Sequence, residues 1–563
     1  MNVADYLVKE LVNLGISEAF GMPGGVILEF IYALDRNDNI NAHLCYHEQC
    51  AGFAAYGYAK ISNKIGVAYV TKGPGLTNIV TAIADAYYDS IPLLIITAHS
   101  SKINNTKMRC EYDQEIDSIA LVKNMTKYAA RVENISSVRY EMTKAIHNAT
   151  TGRKGPVLLD FKSGLFNENA DKLDVISWPD ELIISEFKNI ESDIIADLSR
   201  SLKNAKRPVL LIGSGLKQHN LSEYTQRLVN LLKIPVLSSR YAQDLLIDNR
   251  FYFGYIGSHG IRYSNFILAK ADLIISIGNR MAFPLNSLTY QKLIKNKKFI
   301  RFDVDKTEFE RKIPNSSDYC VDLNLLLPSL LKNFKTVFGY DEWLSVCEII
   351  KKELYNYDIN LPVNKIIEIL KYFKNIKAIV CDVGNNEFWV SRGLEYVKLR
   401  KSIVFSQSFG ALGSAIPKAI GMYYAQRKAV ICFIGDQGFQ MNLQELEYIV
   451  KNKLPIAIIV LNNFSSGMIK DREQNLGYKY YVQTTLNSGY SVPDIKKITL
   501  AYGIKYYNWN DGEYIDKNIS EPVIIEVNFN DSYSLEQYLP LGNDFQNLEP
   551  KLTKLKYTYL ESL

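Results

Sequence analysis

A chain of three doubly wound parallel-sheet domains, each α/β, is the fold class that this sequence predicts. Three observations carry the prediction. Short, wholly apolar runs recur in three separate regions, and amphipathic stretches alternate with them. The length, 563 residues, exceeds what one hydrophobic core organises.

The first region, residues 1–170, opens with "MNVADYLVKELVNLGISEAF", whose apolar residues fall at helical spacing with acidic residues among them, unlike a signal peptide. Its strand candidates are "IGVAYV" (65–70), "IPLLIITA" (91–98) and "GPVLLDF" (155–161). The second region, 190–340, contains "RPVLLIGSG" (207–215), "IPVLSS" (234–239), "ADLIISIG" (271–278) and "KFIRFDVD" (298–305). The third, 360–540, contains "KAIVCDVG" (377–384), "AVICFIG" (429–435), "LPIAIIVLNN" (454–463) and "EPVIIEVNF" (521–529). Unbroken apolar runs of this length suit parallel strands covered on both faces. Polar, weakly periodic stretches near 165–195 and 340–362 read as connections, and 541–563 as a polar and aromatic tail with no partner in the pattern. Duplication of a domain is compatible with the pattern, although no residue-level repeat is visible.

Composition narrows the class. With 47% apolar and 22% charged residues this is an ordinary globular chain, and a net charge of +5 does not mark a nucleic-acid binder. No stretch approaches the length of a membrane span. The seven cysteines are scattered and complete no zinc pattern, so they read as reduced thiols of a cytoplasmic protein.

The chemistry concentrates near the end, in "FIGDQGFQMNLQELEYIVKNKLPIAIIVLNNFSSG" (433–467). Asp436 follows one apolar run and Asn463 ends the next, with room between them for one crossover helix. Ligands of open α/β sheets bind beyond the carboxyl ends of strands, so both side chains emerge at one edge. A carboxylate, an amide oxygen and a backbone carbonyl make a hard-oxygen half-shell suited to Mg²⁺, and nearby glycine amides suit phosphate. Either feature alone would be a helix cap or a loop.

Strand, Gly-Asp, helix, strand, Asn-Asn resembles the diphosphate–Mg²⁺ motif of thiamine-diphosphate enzymes. The resemblance implies Asp436, Asn463 and the carbonyl of Ser465 as metal ligands, with Gly435, Gln437 and Gly438 around the diphosphate. It departs at Gln437, where the family usually has glycine, and at Gly438, where its carboligases often have serine. A second half-site is implied by "CYHEQCAGFAAYGYAK" (45–60), flanked by "GMPGG" (21–25), "TKGPGLTN" (71–78) and "DAYYDSIPLLIITA" (85–98). There Glu48 matches the glutamate that contacts N1′ of the aminopyrimidine and relays its proton, with Gly25 and Asn78 nearby. "SQSFGALGSAIPKAIG" (406–421) resembles the pyrimidine-gripping segment, placing the Gly410 carbonyl at the 4′-amino group and Leu412 as the apolar wedge. The domains would then be pyrimidine-binding, central nucleotide-fold and diphosphate-binding. The family's active sites lie at subunit interfaces, which implies a homodimer or homotetramer.

The resemblance runs through almost the whole chain and is closest to acetolactate synthase catalytic subunits. Gln114 matches a substrate-facing glutamine there, and Met468 a pocket methionine. These imply decarboxylation of pyruvate and transfer of the two-carbon unit to an acceptor carbonyl. The central region also resembles a flavin site, which implies FAD contacts at Gly213, Gly215, Gly257, His259, Arg280, Asp303 and Asp322, although "RMAFPLN" replaces a longer basic and acidic element after Asn279. Two further departures concern the acceptor. Arg472 stands in place of a pocket tryptophan, and Lys72 in place of a serine before "GPG". Both suit an anionic acceptor, as in the branched-sugar (yersiniose-type) carboligases that use a nucleotide-linked keto-sugar. The alternative is acetolactate synthase itself, or a related 2-keto acid decarboxylase or oxidase.

Overall fold

The computed structural model describes the chain apart from residues 101–112, 173–181, 218–220, 283–287, 335–338, 358, 399, 531–532 and 536. Cys110 and most of the "RMAFPLN" segment therefore lie outside the described residues.

Three six-stranded sheets form, and every strand pairing is parallel. The first contains β1 (Glu18–Gly21), β2 (Asn41–Leu44), β3 (Gly66–Tyr69), β4 (Leu93–His99), β5 (Tyr128–Val132) and β6 (Val157–Lys162). The second contains β7 (Pro208–Ile212), β8 (Val236–Ser239), β9 (Tyr252–Ile256), β10 (Leu273–Ile277), β11 (Lys298–Asp303) and β12 (Ser316–Cys320). The third contains β13 (Ala378–Cys381), β14 (Ser402–Phe405), β15 (Val430–Gly435), β16 (Ile456–Asn462), β17 (Lys505–Asn508) and β18 (Val523–Asn528). The orders are β2-β1-β3-β4-β6-β5, β12-β11-β10-β7-β8-β9 and β14-β13-β15-β16-β18-β17. α-Helices make most of the crossovers between successive strands, and short 3₁₀ turns make those from β8 to β9, β11 to β12 and β17 to β18. The outer two sheets thus share one topology, while the central sheet has the 3-2-1-4-5-6 order of dinucleotide-binding folds.

The chain forms two compact units, one of Met1–Trp178, Asn375–Glu387 and Ser402–Tyr533, the other of Pro179–Lys374, Phe388–Lys401 and Ser534–Leu563. In the first unit the N- and C-terminal sheets share a hydrophobic core that includes Phe20, Ala54 and Ile79 from one side and Ala419, Ile434 and Ile458 from the other. The helices Glu48–Ser62 and Ala415–Gln426 meet there backbone to backbone. A Cβ on Gly57 would lie 2.1 Å from the Lys418 carbonyl oxygen, and one on Gly421 only 1.8 Å from that of Ala54. Only glycine permits this approach.

In three places the structure differs from the sequence reading. Residues 340–362, read as a connection, contain the helix Asp341–Leu354, which buries Trp343, Cys347, Ile350 and Leu354. Those positions follow helical spacing, but the charged residues between them mask it. Residues 165–195 likewise run into the helix Leu182–Asn204, which buries Ile194, Leu198 and Leu202. The tail is integrated in the second unit: Phe545, Leu548 and Leu560 are buried, and the Arg262 guanidinium donates to the carbonyls of Leu548, Glu549 and Pro550. A buried arginine far away in sequence is its partner, which no local pattern discloses.

Candidate active site

The carboxyl edge of the third sheet assembles the first half of the site. Strands β15 and β16 are neighbours, with Gly435 opposite Leu461, so Asp436 and Asn463 leave the sheet side by side. Two short helices, Asp436–Gln440 and Glu445–Lys451, make the crossover in place of a single one. The first asparagine, Asn462, is used structurally: its amide donates to Glu526 at 2.7 Å, and its Oδ1 accepts from the Phe464 amide at 3.1 Å. Phe464 has φ +53°, a kink that turns the chain after the strand. Asn463 is thereby presented to the edge, and its Nδ2 donates to Ser465 Oγ at 2.9 Å. Nitrogen committed to Ser465 leaves the Asn463 amide oxygen as the atom available to a ligand.

Asp436 is buried. Its Oδ1 accepts from the Gln437 amide at 2.9 Å, while its Oδ2 has no hydrogen-bond partner among the described residues. Burial pushes this carboxyl up to about 6, against the opposing influence of the nearby Tyr490 hydroxyl and the Gln437 and Phe464 amides. An unpartnered buried carboxylate oxygen beside an amide oxygen is costly unless a cation completes it. The residues present therefore fit a hard divalent ion. Gln437 sits inside a helix with ordinary backbone conformation, and its amide serves Asp436. A Cβ at Gly438 would fall 2.2 Å from Asp382 Oδ2, so a serine there would have to displace a buried carboxylate.

Sequence reasoning missed three residues at this edge. Asp382 follows β13, fully buried, and its carboxylate accepts from the amides of Gly413 (2.8 Å) and Ala415 (3.2 Å). Burial pushes it up to about 6. Asn385 Nδ2 donates to Asp471 at 2.8 Å, and its Oδ1 is buried without a hydrogen-bond partner among the described residues. Asn386 Nδ2 donates to the Asp382 carbonyl at 2.7 Å. A Cβ on Gly467 would lie 2.6 Å from Asn463 Nδ2 and 2.9 Å from Asn385 Nδ2, so glycine holds open the space between the loops after β13 and β16. All three follow an apolar run, the signal that found Asp436, and "CDVGNN" could have been read in the same way. The helix Gly467–Asn475 carries Met468, half-buried, and Arg472, exposed.

The second half lies at the carboxyl edge of the N-terminal sheet. Glu48 is the first residue of its helix, with His47 as N-cap accepting from the Gln49 amide at 3.1 Å. Its buried carboxylate accepts from Asn78 Nδ2 at 2.9 Å. Gly24 and Gly75 both pack on Thr71, and a Cβ on Gly75 would come within 3.3 Å of Glu48 Oε1. Gly25 has open space around it. Lys72 hydrogen-bonds Ser100 Oγ, and Gln114 (φ +58°) lies over Gly73, so Lys72 and Gln114 belong to one loop cluster. No hydrogen bond joins Glu48 to the C-terminal domain among the described residues. Gly410 (φ +73°) is exposed and Leu412 half-buried, in the segment between β14 and the helix Ala415–Gln426.

In the central domain Gly213 and Gly215 follow β7 and Gly278 follows β10, at the point where strand order reverses. A Cβ on Gly213 would lie 2.0 Å from the Gly278 carbonyl oxygen, an approach that keeps this crevice backbone-lined. Gly257 (φ +141°) exchanges hydrogen bonds with the Asn265 side chain. Burial and the charges of Arg392 and Arg240 press the His259 imidazole down to about 3, leaving it neutral. Both amide atoms of fully buried Gln243 lack a hydrogen-bond partner among the described residues. Arg280 is half-buried beyond β10, and Asp303 ends β11. Asp322 caps the helix Leu323–Asn333, accepting from the Asn324 amide at 2.8 Å.

Three family models match the chain: the thiamine pyrophosphate enzyme N-terminal TPP binding domain over residues 1–121, the central domain over 195–330 and the C-terminal TPP binding domain over 382–527. The chain is 31% identical over 554 residues to the acetolactate synthase large subunit of Lactococcus lactis subsp. lactis (strain IL1403), covering 95% of this chain and 94% of that protein. It is 29% identical to a probable acetolactate synthase large subunit of Methanococcus aeolicus (97% and 95% covered). Against acetolactate synthase isozyme 2 large subunit of Escherichia coli (strain K12) the identity is 27%, with 98% and 100% covered. The paired strand ends, the glycine-opened loops and these likenesses along nearly the full length agree, and the chain belongs to the thiamine pyrophosphate enzymes, as an acetolactate synthase-like, carbon–carbon bond-forming member of that family.

Proposed function

We propose that this enzyme decarboxylates pyruvate and joins the two-carbon unit to an acceptor carbonyl. The unpartnered Oδ2 of Asp436 beside Asn463 is the observation that carries the reading. Asp436, Asn463 and the Ser465 carbonyl would hold Mg²⁺ and, through it, the diphosphate, with Gly435, Gln437, Gly438 and Met468 around them. When bound there, thiamine diphosphate supplies the electron sink that decarboxylation of a 2-keto acid needs. Glu48, steered by Asn78, is the carboxylate that exchanges a proton with the aminopyrimidine. Gly410 and Leu412 grip that ring, and Gly25 and Gln114 line its approach. As the resemblance implies, the working form is a homodimer or homotetramer whose sites two chains share. Six described cysteines are free thiols, in keeping with a cytoplasmic enzyme.

The acceptor that the relatives' names favour is a second keto acid, which makes acetolactate the product. A second reading takes a nucleotide-linked keto-sugar as acceptor. It is supported by Arg472, exposed on the helix that starts beside Asn463, and by Lys72 in the opposing half-site. In the central domain the dinucleotide strand order and the glycine crevice support FAD, contacted by Gly213, Gly215, Gly257, His259, Arg280, Asp303 and Asp322. Mass spectrometry of products from labelled pyruvate, with and without a panel of acceptors, tests the proposal. Acetolactate supports the first acceptor and a branched-sugar adduct the second; absence of carbon dioxide release with thiamine diphosphate and Mg²⁺ present overturns both. A yellow chromophore released from purified protein tests the flavin assignment.

A further inference from the structure

The segment from Ser406 to Gly413 has little regular structure, yet its backbone is pinned by buried carboxylates from the opposite domain of the same chain. Asp89 ends the helix Pro74–Asp89 and accepts from the amides of Gln407 (2.8 Å) and Ser408 (2.9 Å) and from the Tyr56 hydroxyl (2.8 Å). One turn earlier, Asp85 accepts from Ser406 Oγ at 2.6 Å and from Lys418 Nζ at 2.7 Å. The same Ser406 Oγ accepts from the Ala411 amide at 3.0 Å, closing the segment on itself. On the outside Tyr88 stacks on Phe409, with ring centroids 5.6 Å apart and planes within 10°. Asp85, Asp89, Ser406, Lys418 and Tyr56 are all buried.

This is an uneconomical way to hold a loop for stability alone. Two carboxylates share one lysine, and both burial and Asp85 push the Asp89 carboxyl upward. Asp89 faces two loop amides and Asp85 the Ser406 hydroxyl, so together the carboxylates fix where the segment runs. What they leave exposed is the apex, Phe409 and Gly410, with Leu412 half-buried beside it. These are the residues assigned above to gripping the aminopyrimidine.

We propose that Asp85 and Asp89, with Tyr88, are positioning residues that hold the 406–411 backbone in the shape the aminopyrimidine ring requires. The inference rests on the cofactor reading above. Neither aspartate touches the cofactor; each acts through the segment. The helix Pro74–Asp89 is therefore part of the cofactor site of the domain it packs against, beyond its packing role in its own domain.

Hydrogen exchange of the cofactor-free protein, paired with equilibrium binding, tests this. In Asp89→Asn, amide exchange in the peptide spanning 406–411 should quicken by about tenfold, the effect of losing one charge-assisted acceptor. Affinity for thiamine diphosphate with Mg²⁺ should fall by about the same factor. Affinity for inorganic diphosphate with Mg²⁺, which needs only the Asp436 edge, should be unchanged. Tyr88→Ala, at an exposed position, should move the first two readouts in the same direction even where Asp89→Asn folds poorly. Asp89→Glu should recover part of the loss. Faster exchange with unaltered thiamine diphosphate affinity overturns the proposal, because the clamp would then be structural only. Parallel loss of thiamine diphosphate and diphosphate affinity overturns it too, since general loosening would explain both. If wild-type protein binds diphosphate but not thiamine diphosphate, it is the underlying cofactor reading that fails.

Discussion

At the scale of single residues, the carboxylates separate by what each lacks. Asp436 lacks a partner for one oxygen among the described residues and sits where burial opposes its charge, so a cation should be its missing neighbour. Glu48 has a neutral donor, Asn78, and keeps its other oxygen at the edge of a glycine-walled loop. The two should fail differently. Asp436→Ala should weaken thiamine diphosphate binding and make it depend on high Mg²⁺, as read by titration calorimetry. Glu48→Gln should bind the cofactor normally while carbon dioxide release drops by at least the ~10²–10⁴ of an acid–base group. Equal loss of binding in both variants would merge the two roles into one. The residues that the sequence reading did not single out, Asp382, Asn385, Asp85 and Asp89, find their partners across long separations. Asp85 and Ser406 are a case in point: each is an ordinary polar residue in its own segment, and only the fold makes them a pair.

At the scale of elements, what the sequence disclosed follows burial. All eleven apolar runs became strands, and all eleven lie inside their sheets. The strands it did not show are the six at sheet edges, β2, β5, β9, β12, β14 and β17, together with β1. Most edge strands are short or polar: β12 reads "SSDYC" and β17 "KYYN", and one side of each is free of a neighbouring strand. β1 is interior but carries Glu18, a buried charge made tolerable by His43 (2.5 Å) and Arg427. An apolar-run criterion rejects that strand for a residue whose neutralising partners come from elsewhere. The element contact with least tolerance is the glycine-mediated meeting of helices Glu48–Ser62 and Ala415–Gln426. With a Cβ contact of 1.8 Å against backbone, Gly421→Ala has no flexible side chain to displace. It should cost about 1–3 kcal/mol or more, as overpacking does, and lower the unfolding midpoint without changing the diphosphate-binding residues. An unchanged midpoint would mean that the helices separate freely.

On the scale of the whole molecule, the junction of the N- and C-terminal domains should make stability depend on pH. Glu445 is buried there, accepting from the Tyr46 amide at 2.9 Å with its second oxygen unpartnered among the described residues. Burial lifts its carboxyl from 4.5 to about 7, opposed by the Cys50 thiol and the Tyr46 and His47 amides. Between those two values the folded chain holds a proton that the unfolded chain has released. Stability contributed by this group is therefore present at low pH and lost as pH rises from about 4.5 towards 7. Glu445→Gln, neutral throughout, should gain on the wild type as pH moves from about 5 to 8, by up to ~3 kcal/mol. Unfolding midpoints of both proteins across that range provide the check. A difference that stays flat with pH would mean that Glu445 is solvated.

The helix Pro74–Asp89 also acts as a ruler. Gly75 and Asn78 at its start bear on Glu48, and Asp89 at its end holds the amides of Gln407 and Ser408. Its sixteen residues measure about 24 Å, and each added residue turns one end against the other by roughly 100°. Inserting or deleting a single residue would swing either Asn78 or Asp89 away from its target. The residue count of the helix is therefore constrained by both ends at once. Length variation in enzymes of this design should accumulate in the loops on either side and stop at the helix ends.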